Sequence, residues 1–138
     1  MASALLRMGR IKGVQRPAIA TPIPVPGHLP TVLLDAGANA ECTPEMLLQF
    51  AQMGSVYART RFGIERPRVG LLSIGEEDGK GNQLAKDANE AFRRGDAGPD
   101  VNFIGNVEGR DVMTPDVDVV VTDGFTGNVV LKTLEGGM

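Results

Sequence analysis

The sequence is poor in aromatic residues, cysteine and long apolar runs, and each shortage excludes a class of protein. Tryptophan is absent and aromatic residues make up 4% of the 138 residues, so a core must be aliphatic. The single cysteine, Cys42, cannot form an internal disulfide, which is typical of the reducing cytosol. No apolar run approaches the roughly 20 residues of a membrane span, and residues 1–8 lack the apolar stretch of a signal peptide. We therefore expect a cytoplasmic protein.

Positive charge is also scarce. The chain has 14 basic and 17 acidic residues, a net charge of −3 at pH 7, and no basic stripe interleaved with aromatic residues. Nucleic acid is therefore not expected as a partner. The lone histidine, His28, lies in a proline-rich stretch with no serine or aspartate partner in view, so we interpret it as a surface residue. Cys42 precedes a helix start, and we interpret it as a structural thiol.

What the sequence does contain is a series of compact aliphatic strands. These runs do not alternate between apolar and polar residues, so both faces of the sheet that they form should be covered. Strands of this kind, separated by helices, indicate a parallel α/β sheet. The predicted strands are TVLLD (31–35), RVGLLSI (68–74), VNFI (101–104) and DVVVT (118–122).

Three segments carry helix patterns. Thr43 as N-cap, Pro44 at the first helical position and Gly63 as C-cap delimit a long helix. QLAKDANEAFRR (83–94) is amphipathic, and GNVVLKTLEGGM (127–138) would begin a last helix.

The amino-terminal part is harder to interpret. ALLRMGRIKG (4–13) is predicted as a short helix that stops at Gly9 or Gly13. The prolines of RPAIATPIPVPGHLP (16–30) exclude a helix and favour an extended course, with at most a short strand at Ala18–Ala20.

Glycine, asparagine and an acid follow each predicted strand at its carboxyl end, where ligands bind in open α/β sheets. Glycine lets the backbone approach a ligand, asparagine is a neutral donor and acceptor, and N–H groups at a helix start suit an anion. Four such loops at one sheet edge predict a shared cleft. The acids at two of the strand ends, Asp35 and Asp123, either bind a metal or cap the next turn. The loops are AGAN (Gly37, Asn39), GEEDGKGN (75–82), GNVEGRD (Gly105, Asn106, Glu108, Arg110, Asp111) and DGFTGN (Asp123, Gly124, Thr126, Gly127, Asn128).

GEEDGKGN looks like a phosphate loop but does not match the P-loop pattern. Gly75 to Gly79 is one residue short, and Gly81 stands where serine or threonine would hold magnesium. ATP hydrolysis is therefore disfavoured. Lys80 remains a good anion ligand, a flexible point charge between glycines, and the alternative is a solvated loop lysine.

Five collinear motifs resemble the PlsX family, the phosphate acyltransferases (acyl-ACP:phosphate acyltransferases) of bacterial phospholipid synthesis. They cover nearly the whole chain: LRMGRIKGVQRPAIA, VLLDAGAN, PRVGLLSIGEEDGKGN, NFIGNVEGRD and DVVVTDGFTGNVVLKTLEG. The resemblance implies a three-layer α/β/α sandwich with a mostly parallel sheet, like isocitrate and isopropylmalate dehydrogenases and phosphotransacetylases. It also implies a homodimer with a cleft.

The same resemblance implies a reaction. The family transfers a long acyl chain from acyl carrier protein to inorganic phosphate, and a glycerol-3-phosphate acyltransferase then uses the acyl-phosphate. No metal, nucleotide or other cofactor is expected. Family members are more than twice as long, so residues 1–138 are predicted to be a single α/β domain, the central portion of the enzyme. Peripheral membrane contact is implied for the full-length form, in a region predicted to lie beyond this chain.

The family motifs, together with the rule that ligands bind at the carboxyl ends of parallel strands, make Lys80 and Asn128 the candidate catalytic residues. Lys80 would neutralise phosphate or the thioester oxyanion, and the Asn128 side-chain amide would donate to the same region, helped by the N–H groups of Gly127 and Asn128. Asp123 would orient Lys80 or Asn128. The other candidate ligands of phosphate or substrate are Asn39, Gly81, Asn82, Asn106, Gly124, Thr126 and Gly127.

Two alternative functions stay open. One is a phosphotransacylase that uses short-chain acyl-coenzyme A, and the other is a piece that only dimerises or binds carrier protein. A dehydrogenase of the same fold would need a metal-binding group of acids and basic substrate-binding residues, and the sequence shows neither set.

Overall fold

The computed structural model contains one six-stranded sheet with helices on both of its faces. It describes the backbone of residues 4–7, 17–73 and 80–136 and the side chains of residues 18–73 and 83–134. The elements are β1 Ala4–Arg7, β2 Pro17–Val25, β3 His28–Leu34, α1 Pro44–Phe62, β4 Arg68–Leu72, α2 Lys80–Arg93, β5 Asn102–Val107, a 3-10 helix Gly109–Met113, β6 Val119–Val121 and α3 Gly124–Gly136.

The strand order is β1-β2-β3-β6-β4-β5. β3, β6, β4 and β5 are parallel to one another, whereas β2 is antiparallel to both β1 and β3. The prediction of a mostly parallel sheet is therefore confirmed. Because the four parallel strands point the same way, their carboxyl ends lie at one edge of the sheet, where the sequence predicts a cleft.

Each face of the sheet buries its own aliphatic cluster, because successive side chains of a strand point to opposite faces. On one face α1 and α2 cover Val32, Leu34, Val69 and Val119. On the other face α3 and the 3-10 helix cover a second cluster that includes Leu33 and Val120. The predicted three-layer α/β/α arrangement is confirmed, and so is the reason given for it, since β6 is buried over its whole length.

The caps of α1 are those that the sequence predicts. The Thr43 hydroxyl accepts a hydrogen bond from the Met46 N–H at 3.2 Å, and Pro44 occupies the first turn. Gly63 has φ +70°, and its N–H donates to the Arg59 carbonyl at 3.1 Å. The helix therefore starts and stops at positions fixed by local chemistry.

The extended course predicted for 16–30 is confirmed, but the predicted helix at 4–13 and the predicted length of the strand at Ala18–Ala20 are wrong. Residues 4–7 form β1, not a helix, and pair antiparallel with Pro17–Ala20 of β2. β2 itself continues to Val25, beyond the predicted Ala18–Ala20. Past Ala20, β2 pairs with β3 but not with β1 in the described part of the chain. Among the described residues, the edge of β2 past Ala20 that faces away from β3 pairs with no strand and so needs no N–H donor. An unpaired strand edge of this kind tolerates proline.

Smaller corrections concern where elements end. β3 stops at Leu34, so Asp35 is the first residue beyond the strand, and α3 begins at Gly124. β5 continues to Val107, so Gly105 and Asn106 lie inside the strand and not in a loop after it. Within the described residues, no helix is both long enough and apolar enough to cross a bilayer.

Candidate active site at the carboxyl ends of β3 and β6

Two of the predicted loops meet at the carboxyl ends of β3 and β6. Asp35–Asn39 follows β3, and Asp123–Asn128 follows β6 and forms the first turn of α3. The strand pairing continues one step into these loops, since the Thr122 N–H donates to the Leu34 carbonyl at 2.9 Å and the Asp35 N–H to the Thr122 carbonyl at 3.1 Å. We call this pair of loops the β3–β6 corner.

Asp35 organises the first loop. Its side chain is fully buried, and its carboxylate accepts hydrogen bonds from the Ala38 N–H at 3.1 Å and from the Asn39 N–H at 2.7 Å. The Asn39 side-chain amide donates to the same carboxylate at 3.0 Å, and the Ile19 N–H of β2 donates at 2.9 Å. Of the two roles open to this acid, capping the next turn is the one observed.

Asp123 caps α3 in the same way. Its carboxylate accepts the Thr126 N–H at 2.7 Å and the Thr126 hydroxyl at 3.0 Å. The Gly127 N–H donates to the Asp123 carbonyl at 2.9 Å, and the Gly124 N–H donates to the Asn39 carbonyl at 2.6 Å. The Gly127 N–H is therefore used inside the helix and is not a free donor, contrary to the expectation that it faces phosphate.

The glycines of α3 permit close contact between the two loops. A Cβ atom on Gly124 would lie 2.8 Å from the Asn39 carbonyl carbon, and one on Gly127 would collide with the Asp35 carbonyl oxygen. Real Cβ atoms do not approach backbone this closely, so both positions require glycine for space. Their observed role is to dock the start of α3 on the loop after β3.

Asn128 is the side chain of this corner that remains available. It is half-buried on α3, and its amide has no hydrogen-bond partner among the residues that the structure describes. Asn39, by contrast, is committed to Asp35. The Asn128 amide is therefore a candidate neutral donor at the start of α3.

The electrostatics of the corner are acidic. Asp35 and Asp123 carry two negative charges, and neither has an ion-pair partner among the described side chains. Hydrogen bonds satisfy both carboxylates, but they do not remove the charge. An anion bound here therefore needs a cation from elsewhere.

Lys80 is the predicted source of that cation. It is the first residue of α2, which follows β4, the parallel neighbour of β6. The side chains of Lys80 and Asn82, the burial of Gly81 and the whole of residues 74–79 lie outside what the structure describes.

Asn106 is not part of the corner. It lies within β5, two strands from β6, and its side-chain oxygen accepts a hydrogen bond from the Asn89 amide of α2 at 2.7 Å. The alternation of side chains along an exposed edge strand places it there. Gly105, with φ +112°, is the residue at which the sequence predicts that the strand has ended, but β5 continues to Val107.

The opposite edge of the sheet has a separate polar cluster. Asp118, just before β6, accepts hydrogen bonds from the Arg68 N–H at 2.8 Å and from Arg68 Nε at 3.1 Å. The hydrogen bond to Asp118 raises the pKa of Arg68. A cavity of about 700 Å³ at this edge is lined in part by His28, Arg66 and Arg68.

No group of three or more His, Cys, Asp or Glu side chains able to hold a metal ion occurs within the described ranges.

Two solved structures that share this fold are described as a phosphotransacylase and a phosphotransacetylase. A branched-chain phosphotransacylase from Enterococcus faecalis superposes with a TM-score of 0.61 at 20% identity, over 81% of this chain and 46% of that one. The phosphotransacetylase EutD from Staphylococcus aureus gives 0.59 at 18% identity, over 94% of this chain and 45% of that one. At this identity the likeness establishes the fold. The comparison to dehydrogenases remains a prediction.

The family is established by sequence. The model of the "Fatty acid synthesis protein" family matches residues 1–138, so the chain belongs to that family. It is 58% identical over 136 residues to the phosphate acyltransferase of Elusimicrobium minutum and 57% identical to that of Helicobacter acinonychis. These matches cover 99% of this chain but only 38% and 39% of the relatives. The resemblance to the phosphate acyltransferases is confirmed.

Proposed function

We propose that the chain carries the phosphate-binding part of an enzyme that transfers a long-chain fatty acyl group from acyl carrier protein to inorganic phosphate. The observation that supports this most directly is the family match over the whole chain, together with relatives called phosphate acyltransferases. The fold shared with phosphotransacylases agrees with transfer to phosphate.

In the proposed reaction a phosphate oxygen attacks the carbonyl carbon of the thioester. A new C–O bond forms, the carbonyl oxygen takes negative charge, and the C–S bond then breaks so that the carrier leaves as a thiolate, which takes up a proton. The products are acyl-phosphate and free carrier protein. Phosphate is already an anionic nucleophile at neutral pH, so a strong general base is not obligatory.

Two requirements follow for the site. The phosphate must be held in line with the thioester carbon, and hydrogen-bond donors must be placed to stabilise the oxyanion that forms on the carbonyl oxygen. The Asn128 amide supplies a donor on a helix start fixed by the contacts of Gly124 and Gly127. Because Asp35 and Asp123 make the corner acidic, phosphate binding depends on Lys80. Asp123, which accepts hydrogen bonds from Thr126, would orient the side chain of Lys80 or Asn128.

The substitutions Lys80→Ala and Asn128→Ala test these roles. Lys80→Ala is expected to abolish phosphate binding, because no cation would then offset the negative charge of the corner and of the phosphate; Lys80→Arg should retain part of the binding. Asn128→Ala is expected to lower acyl-phosphate formation about 100-fold, the usual loss for one oxyanion donor. Lys86→Ala on the exposed side of α2 is the matched control and should change neither quantity.

The assay compares donors and proteins. Acyl-phosphate is measured with acyl carrier protein and with acetyl-coenzyme A as donors, for this chain and for the Elusimicrobium minutum relative carrying the aligned substitutions. Preference for acetyl-coenzyme A in both proteins would favour a phosphotransacylase of short chains. Turnover in the relative with none in this chain would favour the alternative of a piece that only dimerises or binds carrier protein. Undiminished turnover in both alanine variants would contradict the site.

The partners follow from the same proposal. Acyl carrier protein and phosphate are the substrates, and a glycerol-3-phosphate acyltransferase would consume the acyl-phosphate. A cytoplasmic homodimer, with peripheral membrane contact in the full-length form, remains a prediction. Gel filtration with light scattering tests the dimer.

A further inference from the structure

Asp35 is a buried carboxylate that the proposed reaction does not use. It is fully buried, and its hydrogen bonds reach two parts of the chain: β2 through Ile19, and its own loop through Ala38 and Asn39. Burying a charge is costly unless it is well satisfied, and here four donors satisfy it.

A continuous set of contacts leads from this carboxylate to the start of α3. Carboxylate oxygen Oδ2 holds the Asn39 backbone N–H and side-chain amide, and the Asn39 carbonyl accepts the Gly124 N–H. The Asp35 carbonyl lies directly against Gly127. Asn128 is the next residue, so the position of its amide depends on where these contacts place the helix.

We propose that Asp35 is a positioning residue, which sets the location of the first turn of α3, and hence of Asn128, through the orientation of Asn39. The claim about α3 stands on the contacts alone, and the claim about ligand binding rests on the proposed function.

The substitution Asp35→Asn separates positioning from simple stabilisation. An amide has one oxygen acceptor and one NH₂ donor, so either Asn39 or the Ile19 and Ala38 pair must face a donor. If the NH₂ group replaces Oδ2, the Asn39 peptide has to move, and its carbonyl and Gly124 move with it. The change in shape is small, but the substitution removes a negative charge as well as changing the hydrogen-bonding pattern.

Asp118→Asn is the matched control. Asp118 also accepts a backbone N–H and a side-chain N–H, both from Arg68, but at the opposite edge of the sheet. Both variants should lower the melting temperature. Only Asp35→Asn should alter the β3–β6 corner.

The measurements use the ¹⁵N-labelled chain. Amide hydrogen exchange at Gly124 and Asn39 reports the contact itself, and titration with inorganic phosphate gives its Kd. We expect Asp35→Asn to raise amide exchange at Gly124 and Asn39 and to weaken phosphate binding about tenfold. Because the loss of a negative charge would by itself tighten phosphate binding, such a weakening reports the displacement of α3. Asp118→Asn should leave the exchange rates of the two amides and the Kd for phosphate within about twofold of the wild-type values.

Each outcome decides something. A less stable Asp35→Asn chain with wild-type exchange at Gly124 would show that Asp35 is merely structural and would overturn the inference. A wild-type chain that does not bind phosphate would count against the proposed function, while exchange at Gly124 would still decide the positioning of α3. If Asp35→Asn does not fold, Gly124→Ala breaks the same contact from the helix side and should weaken phosphate binding, with Gly109→Ala as its control.

Discussion

At the scale of single residues, Gly127 of α3 and Gly109 of the 3-10 helix differ in what surrounds them. A side chain on Gly127 would run into the Asp35 carbonyl, whereas a Cβ atom on Gly109 meets nothing within 4 Å. Overpacking against backbone costs about 1–3 kcal/mol or more, because backbone cannot turn aside as a side chain can. Gly127→Ala should therefore destabilise the chain by at least that amount in urea unfolding.

Gly109→Ala provides the comparison for this prediction. It adds the same methyl group in open space and should change the free energy of unfolding by less than about 0.5 kcal/mol. Equal stability of the two variants would mean that α3 does not lie as close to Asp35 as described.

At the scale of elements, α1 packs closely against the sheet at Gly54, a glycine in the middle of the helix. A Cβ atom on Gly54 would lie 2.6 Å from Val119 Cγ1 and 3.4 Å from a Leu34 methyl group. Alanine favours a helix by about 1 kcal/mol over glycine, yet here it would push α1 off β6. We expect Gly54→Ala to destabilise the chain despite its better helix propensity.

A double-mutant cycle with Val119→Ala tests that contact. Removing the Val119 methyl groups makes room for the added Cβ, so the pair should cost less than the sum of the single changes, by about 0.5–3 kcal/mol. Thr60→Ala on the exposed side of α1 is the control. Additive effects of Gly54→Ala and Val119→Ala would contradict the close approach of the helix.

The elements that the sequence predicts well are those whose signals are local. Thr43, Pro44 and Gly63 fix α1, and non-alternating aliphatic runs mark β3, β4 and β6. β1 and the full length of β2 were missed because they depend on pairing between distant segments, which decides strand formation more than propensity does. Pro22 and Pro24 argue against a strand when only the sequence is known. The strand pairing is needed to show that their missing N–H groups are tolerated there.

At the scale of the whole molecule, the parallel topology brings two of the four predicted loops into contact. That contact follows from β3 and β6 being neighbours, a strand order the sequence does not reveal. The loop after β5 was placed wrongly, because Gly105 and Asn106 are strand residues. The role of Asp35 towards Ile19 was also unpredictable, since it needs β2 beside β3.

The central claim is that inorganic phosphate binds at the β3–β6 corner beside Asn128. A crystal structure of this chain grown with phosphate tests it most directly. We predict phosphate about 3 Å from the Asn128 side-chain nitrogen, at the carboxyl ends of β3 and β6. Phosphate found instead at the opposite edge of the sheet, near Arg66 and His28, with none beside Asn128, would contradict the account.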